Sequence, residues 1–99
     1  MGNQINAAIQ VLPQVANRDS YTIVDQAIDE IKNSGLTYLV CPFETVVEGD
    51  YDHVISLLGK IKDRCFNSGA DELLINIKLQ VRKDRKVTMD EKIGKYRKQ

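Results

Sequence analysis

The stretch that decides the fold is TIVDQAIDEIKNSGLTYLV, residues 22–40, because its pattern returns in LLGKIKDRCFNSGADELL, residues 57–74. Each copy has apolar residues at helical spacing, then Asn-Ser-Gly, then a short apolar run typical of a strand. Gly35 and Gly69 align these features, and each copy follows another stretch with strand character. The chain therefore repeats a strand-helix-strand unit.

Strands and helices alternate along the rest of the sequence. The predicted elements are a strand over Gln4–Leu12, a helix from Ser20 to the stop at Asn33–Gly35, strands over Leu36–Cys41 and Glu44–Gly49, a helix over Asp50–Asn67, a strand over Glu72–Val81 and a short charged helix opened by a capping box at Thr88–Glu91. Pro13 is expected to end the first strand, and Ser20 to cap the first helix. The strands on either side of Pro42 are close enough to form a hairpin.

Two interlocked units of this kind predict an α+β fold, a ferredoxin-like βαββαβ sandwich with an additional C-terminal helix. Ninety-nine residues bury one core, so residues 1–99 are expected to form a single domain. Both long helices would cover the same face of the four-stranded sheet, leaving the other face open. Alternate side chains of the first and last predicted strands lie on this open face: Asn6, Ala8, Gln10, Leu12, Leu74, Asn76, Lys78 and Gln80.

The open face of the predicted sheet carries an apolar patch. Leu12, Leu39 and Leu74 would be exposed together, and a patch of this kind on a small protein indicates self-association. A second copy of the chain is the simplest partner for this face. The positions at Ile75, Ile77, Leu79 and Val81 are expected to face the helices instead.

Composition argues against several classes of partner. Fourteen basic and 14 acidic residues give a net charge of zero, so no overall attraction to nucleic acid is implied. No apolar run approaches the length of a membrane span, and no secretory signal is visible, so a cytoplasmic location is expected. Cys41 and Cys65 lack metal-ligand spacing and are interpreted as packed thiols. No metal, cofactor or catalytic residue is predicted.

Two segments resemble a known family. SGLTYLVCPFETVVEGDYDHVISLL, residues 34–58, and IKLQVRKDRKVTMDEKI, residues 77–93, are similar to the small thiamine-binding proteins of bacteria and archaea. The most specific marks are Tyr38, Pro42, Thr45 and Glu48-Gly49, followed by Lys78, Arg82, Asp84 and Thr88 to Lys92. The chain departs from the family pattern in the loop after the first strand, which lacks the usual Gly and Ser residues, and at Leu39, often an acidic position.

The resemblance implies a ferredoxin-like protein that associates through its sheets into dimers, often tetramers, and binds thiamine or its hydroxymethylpyrimidine part without established catalysis. Such a ligand needs an aromatic or apolar wall, polar groups for the ring edge and negative charge near the thiazolium cation. The candidate ligand-binding residues are Asn6, Gln10, Tyr38, Phe43, Thr45, Glu48, Asn76 and Lys78. Lys78 fits an ion pair across an interface equally well.

Glu48 and Gly49 have two interpretations. In the first, Glu48 is a solvated strand end, Gly49 is a turn glycine with positive φ, and Asp50 or Asp52 caps the next helix. In the second, Gly49 turns the backbone so that Glu48 is held at the sheet edge, facing a cleft shared between subunits. Two further functions stay open: a small oligomeric enzyme using Glu48 or His53 as proton carrier, and a regulatory interaction module without a small ligand.

Overall fold

The computed structural model describes residues 4–16 and 20–96. Its elements, in chain order, are strand β1 (Gln4–Gln14), helix α1 (Ser20–Lys32), strands β2 (Thr37–Val40) and β3 (Thr45–Asp50), helix α2 (Tyr51–Asn67), strand β4 (Glu72–Gln80), helix α3 (Met89–Ile93) and a 3₁₀ turn (Gly94–Tyr96). Among these residues, no helix is both long and apolar enough to span a bilayer.

The four strands form one antiparallel sheet in the order β2-β3-β1-β4. This is the order that two interlocked strand-helix-strand units produce, so the predicted ferredoxin-like α+β fold is confirmed, including the additional C-terminal helix. The predicted hairpin is also confirmed, because β2 pairs with β3 from Thr37↔Glu48 to Val40↔Thr45.

The core lies between the sheet and the two long helices. Residues that alternate along β1 and β3 pack against apolar stripes on α1 and α2, as the period-two and helical patterns predict. The fully buried members of this core are Ile5, Ile23, Ile31, Val47, Val54, Leu57, Ile61 and Cys65. Cys65 is fully buried in this core, which confirms its interpretation as a packed thiol, and the same burial raises the pKa of the thiol.

The ends of α2 follow from local sequence. Asp50 is the N-cap, and its carboxylate accepts hydrogen bonds from the backbone N–H groups of Asp52 (3.1 Å) and His53 (3.3 Å). The helix ends before Ser68, and Gly69 follows with a φ of 110°, a conformation that glycine adopts without strain. Gly35 has the same role after α1, with a φ of 84°. Both Asn-Ser-Gly stops are therefore confirmed.

Arg64 of α2 joins the two long helices. Its guanidinium donates to Gln26 (2.7 Å from Nη2), Asp29 (2.8 Å) and Glu30 (3.3 Å) on α1. The hydrogen bond to Asp29, together with Glu30, raises the pKa of Arg64 above its ordinary value. One planar guanidinium bonded to three side chains of α1 fixes the register of one helix against the other.

Three predicted element boundaries are wrong. β1 continues through Pro13, which pairs with Leu73, to Gln14. A proline is tolerated there because β3 pairs with β1 only as far as Ile9, so the later part of β1 has a free edge. Ser20 lies inside α1 as its first residue, and the residues just before it are outside the described ranges. β4 ends at Gln80, which leaves Val81 exposed rather than on the helix side.

The expectation that Gly49 is a turn glycine is also wrong. Gly49 lies within β3, paired with Ile5, and the described glycines with positive φ are Gly35 and Gly69. Its missing side chain has a packing reason, because a Cβ atom at Gly49 would overlap the Cδ2 atom of Leu36. Glycine here allows the start of β2 to pack closely against β3.

Candidate functional site

The C-terminal segment, residues 87–96, folds back over one end of the open sheet face. Val87 and Met89 are buried, and the Val87 N–H donates to the Gln4 carbonyl oxygen at 2.9 Å. The predicted capping box is present: Thr88 accepts from the Glu91 N–H, and the Glu91 carboxylate accepts from the Thr88 N–H. The sequence therefore predicts this helix but not its place on the sheet.

Asn6 connects the sheet to the C-terminal segment and is only 5% exposed. Its Nδ2 donates to the Glu48 carboxylate (3.3 Å) and to the Val87 carbonyl oxygen (3.4 Å), while its Oδ1 accepts from Lys92 Nζ (2.9 Å). Glu48 also accepts a short hydrogen bond from the Met89 N–H. The Asn6 amide is thus hydrogen-bonded to a carboxylate, an ammonium group and a backbone carbonyl oxygen at the same time.

Arg82 stabilises the same segment from the outside. Its guanidinium donates to both carboxylate oxygens of Glu91, at 2.9 and 2.6 Å, and to the Lys86 carbonyl oxygen at 3.0 Å. This hydrogen-bonded pair lowers the pKa of Glu91 to about 2 and raises the pKa of Arg82.

A cavity of about 420 Å³ lies between the C-terminal segment and the open face, and we call it the sheet-face cavity. Its size is within the range of small-molecule sites. Its walls are mainly apolar, with two amides and two lysines. The lining residues are Asn6, Ala7, Ala8, Leu39, Cys41, Val46, Lys78, Leu79, Gln80, Met89, Lys92 and Ile93.

A second cavity, of about 240 Å³, lies where the sheet opens beside α1, and we call it the notch cavity. It exists because β3 begins at Thr45, opposite Ile9, whereas β1 continues to Gln14, so a gap separates β1 from residues 41–44. The lining residues are Ile9, Gln10, Val11, Tyr21, Val24, Asp25, Ala27, Ile28, Ile31, Cys41, Pro42, Phe43, Glu44 and Thr45.

The two cavities are neighbours. Cys41 lines both of them, and an ion pair of 3.5 Å joins Lys78 of the sheet-face cavity to Glu44 of the notch cavity. Cys41 is a free, half-buried thiol, so it is less enclosed than the packed thiol that the sequence predicts.

Five of the eight candidate ligand-binding residues share the open face: Asn6, Gln10, Glu48, Asn76 and Lys78. The Gln10 and Asn76 amides are bonded to each other at 3.1 Å. Glu48 lies on an interior strand, between Asn6 of β1 and Thr37 of β2, so its predicted place at the sheet edge is wrong.

The other three candidates lie elsewhere. Tyr38 and Thr45 are on the helix side of the sheet, because Tyr38 pairs with the buried Val47 and Thr45 with the buried Ile9. Phe43 is in the connection between β2 and β3 and is 83% exposed. Phe43 and Thr45 therefore meet Gln10 at the notch cavity and not on the open face.

Sequence reasoning missed several residues of the two cavities. Tyr21, Asp25 and Glu44 line the notch cavity, and Met89 and Lys92 line the sheet-face cavity. Val87 and Met89, the two apolar residues beside the capping box, were the available signal that this segment is docked. Within residues 4–16 and 20–96, no group of His, Cys, Asp and Glu side chains is arranged to hold a metal ion.

The fold and these cavities define a small ferredoxin-like protein with two adjoining cavities, of about 420 and 240 Å³. The chain belongs to the thiamine-binding protein family, whose family model matches residues 7–97. It is 37% identical to a UPF0045 protein of Clostridium perfringens over 92 residues, which are 93% of this chain and 96% of that protein.

Solved structures agree with this membership. A domain of unknown function, DUF77, from Bacillus cereus superposes with a TM-score of 0.91 at 35% identity, covering 96% of this chain and 91% of that one. A Thermotoga maritima protein, provisionally described as acting in thiamine biosynthesis or salvage, superposes with a TM-score of 0.84 at 25% identity and covers 94% and 98% of the two chains.

Proposed function

We propose that this protein binds thiamine or its hydroxymethylpyrimidine part in the notch cavity, without chemical change, as a carrier or sensor. The family membership and the description of the Thermotoga maritima protein support a thiamine-related ligand. The observation that carries the choice of cavity is the pairing of aromatic rings with carboxylates around an apolar floor.

The chemistry of the notch cavity suits a flat cation. Tyr21 and Phe43 line this cavity with side chains that are 76% and 83% exposed. Asp25 and Glu44 bring negative charge to the same cavity. A thiazolium ring beside an aromatic face and a carboxylate gains cation–π and Coulomb energy together.

The rest of the notch cavity suits an aminopyrimidine. The Gln10 amide and the Thr45 hydroxyl are lining groups that can donate to ring nitrogens or accept from an amino group. Ile9, Val24 and Ile28 supply the apolar surface on which a flat ring packs. The sheet-face cavity offers two lysines and no aromatic side chain, a poorer environment for the same cation.

The proposal includes self-association through the open face, as a dimer or tetramer. Leu12 and Leu74, paired on β1 and β4, are 37% and 55% exposed there, which supports a partner that buries them. Leu39 is 39% exposed but lies two strands away, in the lining of the sheet-face cavity. Because the notch cavity opens beside Gln10, at the border of this face, the ligand would be bound next to the interface. Two free thiols suit the reducing cytoplasm as its location.

A binding role is favoured over catalysis by the positions of the two candidate proton carriers. Glu48 is on the sheet face opposite α2, where its carboxylate accepts from Met89 and Asn6. His53 is exposed in the first turn of α2. The two side chains are on different sides of the sheet, so they do not form an acid–base pair on one substrate.

Calorimetric titration with thiamine and with hydroxymethylpyrimidine tests the proposal. We expect binding to the wild type and about fivefold weaker thiamine binding by Phe43→Ala, since a cation–π contact contributes about 1 kcal/mol. Phe66→Ala removes a ring from α2 that is 44% exposed and lines neither cavity, so this control variant should bind as the wild type does.

If neither thiamine nor hydroxymethylpyrimidine binds to the folded protein, the binding proposal is refuted. Equal weakening by Phe43→Ala and Phe66→Ala would refute the notch cavity as the site. Chromatographic recovery of unchanged thiamine after long incubation tests the absence of catalysis, and sedimentation at several protein concentrations tests self-association.

A further inference from the structure

The sheet-face cavity has a charge opposite to that of the notch cavity. Its charged lining residues are Lys78 and Lys92, and the carboxylate of Glu48 is not in the lining but accepts hydrogen bonds from Asn6 and Met89, which are. The surrounding wall is apolar, through Leu39, Val46 and other aliphatic residues.

Lys92 is held in place by neutral groups. Its Nζ donates to the Asn6 Oδ1 atom at 2.9 Å and, in a short hydrogen bond, to the Gln80 Oε1 atom. None of the ion pairs found within residues 4–16 and 20–96 includes Lys92. Its positive charge is therefore oriented by two amides at the cavity wall without being neutralised by an acid.

Lys78 can supply a second positive charge. Its ion pair with Glu44 is 3.5 Å long, and the lysine side chain is largely exposed, so the pair contributes little energy. An anion in the sheet-face cavity can replace Glu44 as the partner of Lys78 at small cost. This exchange would leave Glu44 available to a cation in the notch cavity.

We propose that the sheet-face cavity binds the phosphoryl group of a phosphorylated ligand whose ring occupies the notch cavity. The two cavities share Cys41, so a ring and its anionic tail can lie on either side of that residue. A phosphate monoester carries a charge of about −1.5 to −2 near neutral pH, which matches two lysines. The inference deepens the proposed function and rests on it: the preferred ligand is the phosphate ester.

The test compares thiamine, thiamine monophosphate and inorganic phosphate by calorimetric titration. We expect the monophosphate to bind at least about tenfold more tightly than thiamine, and inorganic phosphate alone to bind weakly. The advantage of the ester should shrink when salt is raised from about 50 to about 500 mM, because its added contacts are ionic.

Lysine variants test whether the added affinity for thiamine monophosphate comes from the sheet-face cavity. Lys92→Gln should weaken monophosphate binding about tenfold and thiamine binding less than about twofold, whereas Lys92→Arg should keep most of the advantage. Lys60→Gln removes the same charge from the exposed side of α2 and should change neither affinity. Thermal unfolding of each variant verifies that it is folded.

Equal affinity for thiamine and its monophosphate overturns this inference and leaves the proposed function standing. Inorganic phosphate binding as tightly as the ester also overturns it, since the site would then take free phosphate. If the folded Lys92→Gln variant still binds thiamine monophosphate more tightly than thiamine by the same factor, the phosphoryl group is not bound in the sheet-face cavity. If neither thiamine compound binds, the proposed function fails as well.

Discussion

Replacing Asn6 with alanine should release the C-terminal segment from the sheet. Asn6 donates to Glu48 and accepts from Lys92, and hydrogen bonds to charged groups contribute about 1.5–3 kcal/mol each in favourable cases. We assign each of these two hydrogen bonds a smaller energy, because the bond to Glu48 is long at 3.3 Å and Lys92 is reached by water. About 1 kcal/mol for each gives an expected loss of about 2 kcal/mol in docking free energy.

Hydrogen exchange at the backbone amides of Val87 and Met89 measures this loss directly. Both N–H groups are bonded to the sheet, so they exchange only when the segment opens. A loss of about 2 kcal/mol corresponds to roughly thirtyfold faster exchange. Gln10→Ala is the matched control, since Gln10 is on the same strand and face but its side chain is bonded to Asn76 of β4. We expect that variant to change the exchange less than about twofold.

The reasoning about Asn6 would be refuted by exchange that rises less than about threefold in Asn6→Ala, or by an equal rise in Gln10→Ala. A second variant, Asn6→Asp, tests the electrostatic part. It places a carboxylate against Glu48 and removes the Nδ2 donor, so it should destabilise the segment at neutral pH, by an amount that the new charge's attraction to Lys92 reduces.

Three further predictions concern stability, all measured by urea unfolding. Gly49→Ala should lower the free energy of unfolding by about 1–2 kcal/mol because the new methyl group meets Leu36, and a smaller residue at position 36 should recover part of the loss. Gly59→Ala should raise stability by about 0.5–1 kcal/mol, since it lies within α2 with open space around it. The pKa of Glu91 is lowered in the folded protein to about 2, so its pairing with Arg82 stabilises the fold above pH 5. This stabilisation is lost as the pH falls toward 2. In Glu91→Gln, the free energy of unfolding should therefore decrease less between pH 5 and pH 2.

Most of the fold was predictable because its signals are local. The Asn-Ser-Gly stops, the Asp50 cap and the alternation along β1 and β4 each depend on residues close in sequence. Together they restrict the topology to two interlocked units, and the sheet order follows. Pro13 was misread because its tolerance depends on where another strand stops pairing, which is a long-range property.

The candidate site was predicted only in part, for the same reason. Asn6 and Lys92 are 86 residues apart in sequence, so the docking of the C-terminal segment has no local signal beyond its apolar residues. The notch cavity depends on the different lengths of β1 and β3. Tyr38 was a candidate for the same ligand as the open-face residues, but its neighbour Leu39 occupies that face and alternation sends Tyr38 to the helix side.

The C-terminal segment also restricts how a second copy could associate. It covers the Asn6 end of the open face, so the bare part is the opposite end, where Leu12 pairs with Leu74 and Gln10 with Asn76. A second copy bound there would adjoin the notch cavity, because Gln10 belongs to both. Ligand binding and association would then be coupled, each strengthening the other by the same factor.

We expect thiamine to lower the dimer dissociation constant in sedimentation experiments. Leu74→Lys disrupts the bare end without touching either cavity, and we expect it to weaken both association and thiamine binding. Unchanged thiamine affinity in a monomeric Leu74→Lys variant would separate the ligand site from the interface.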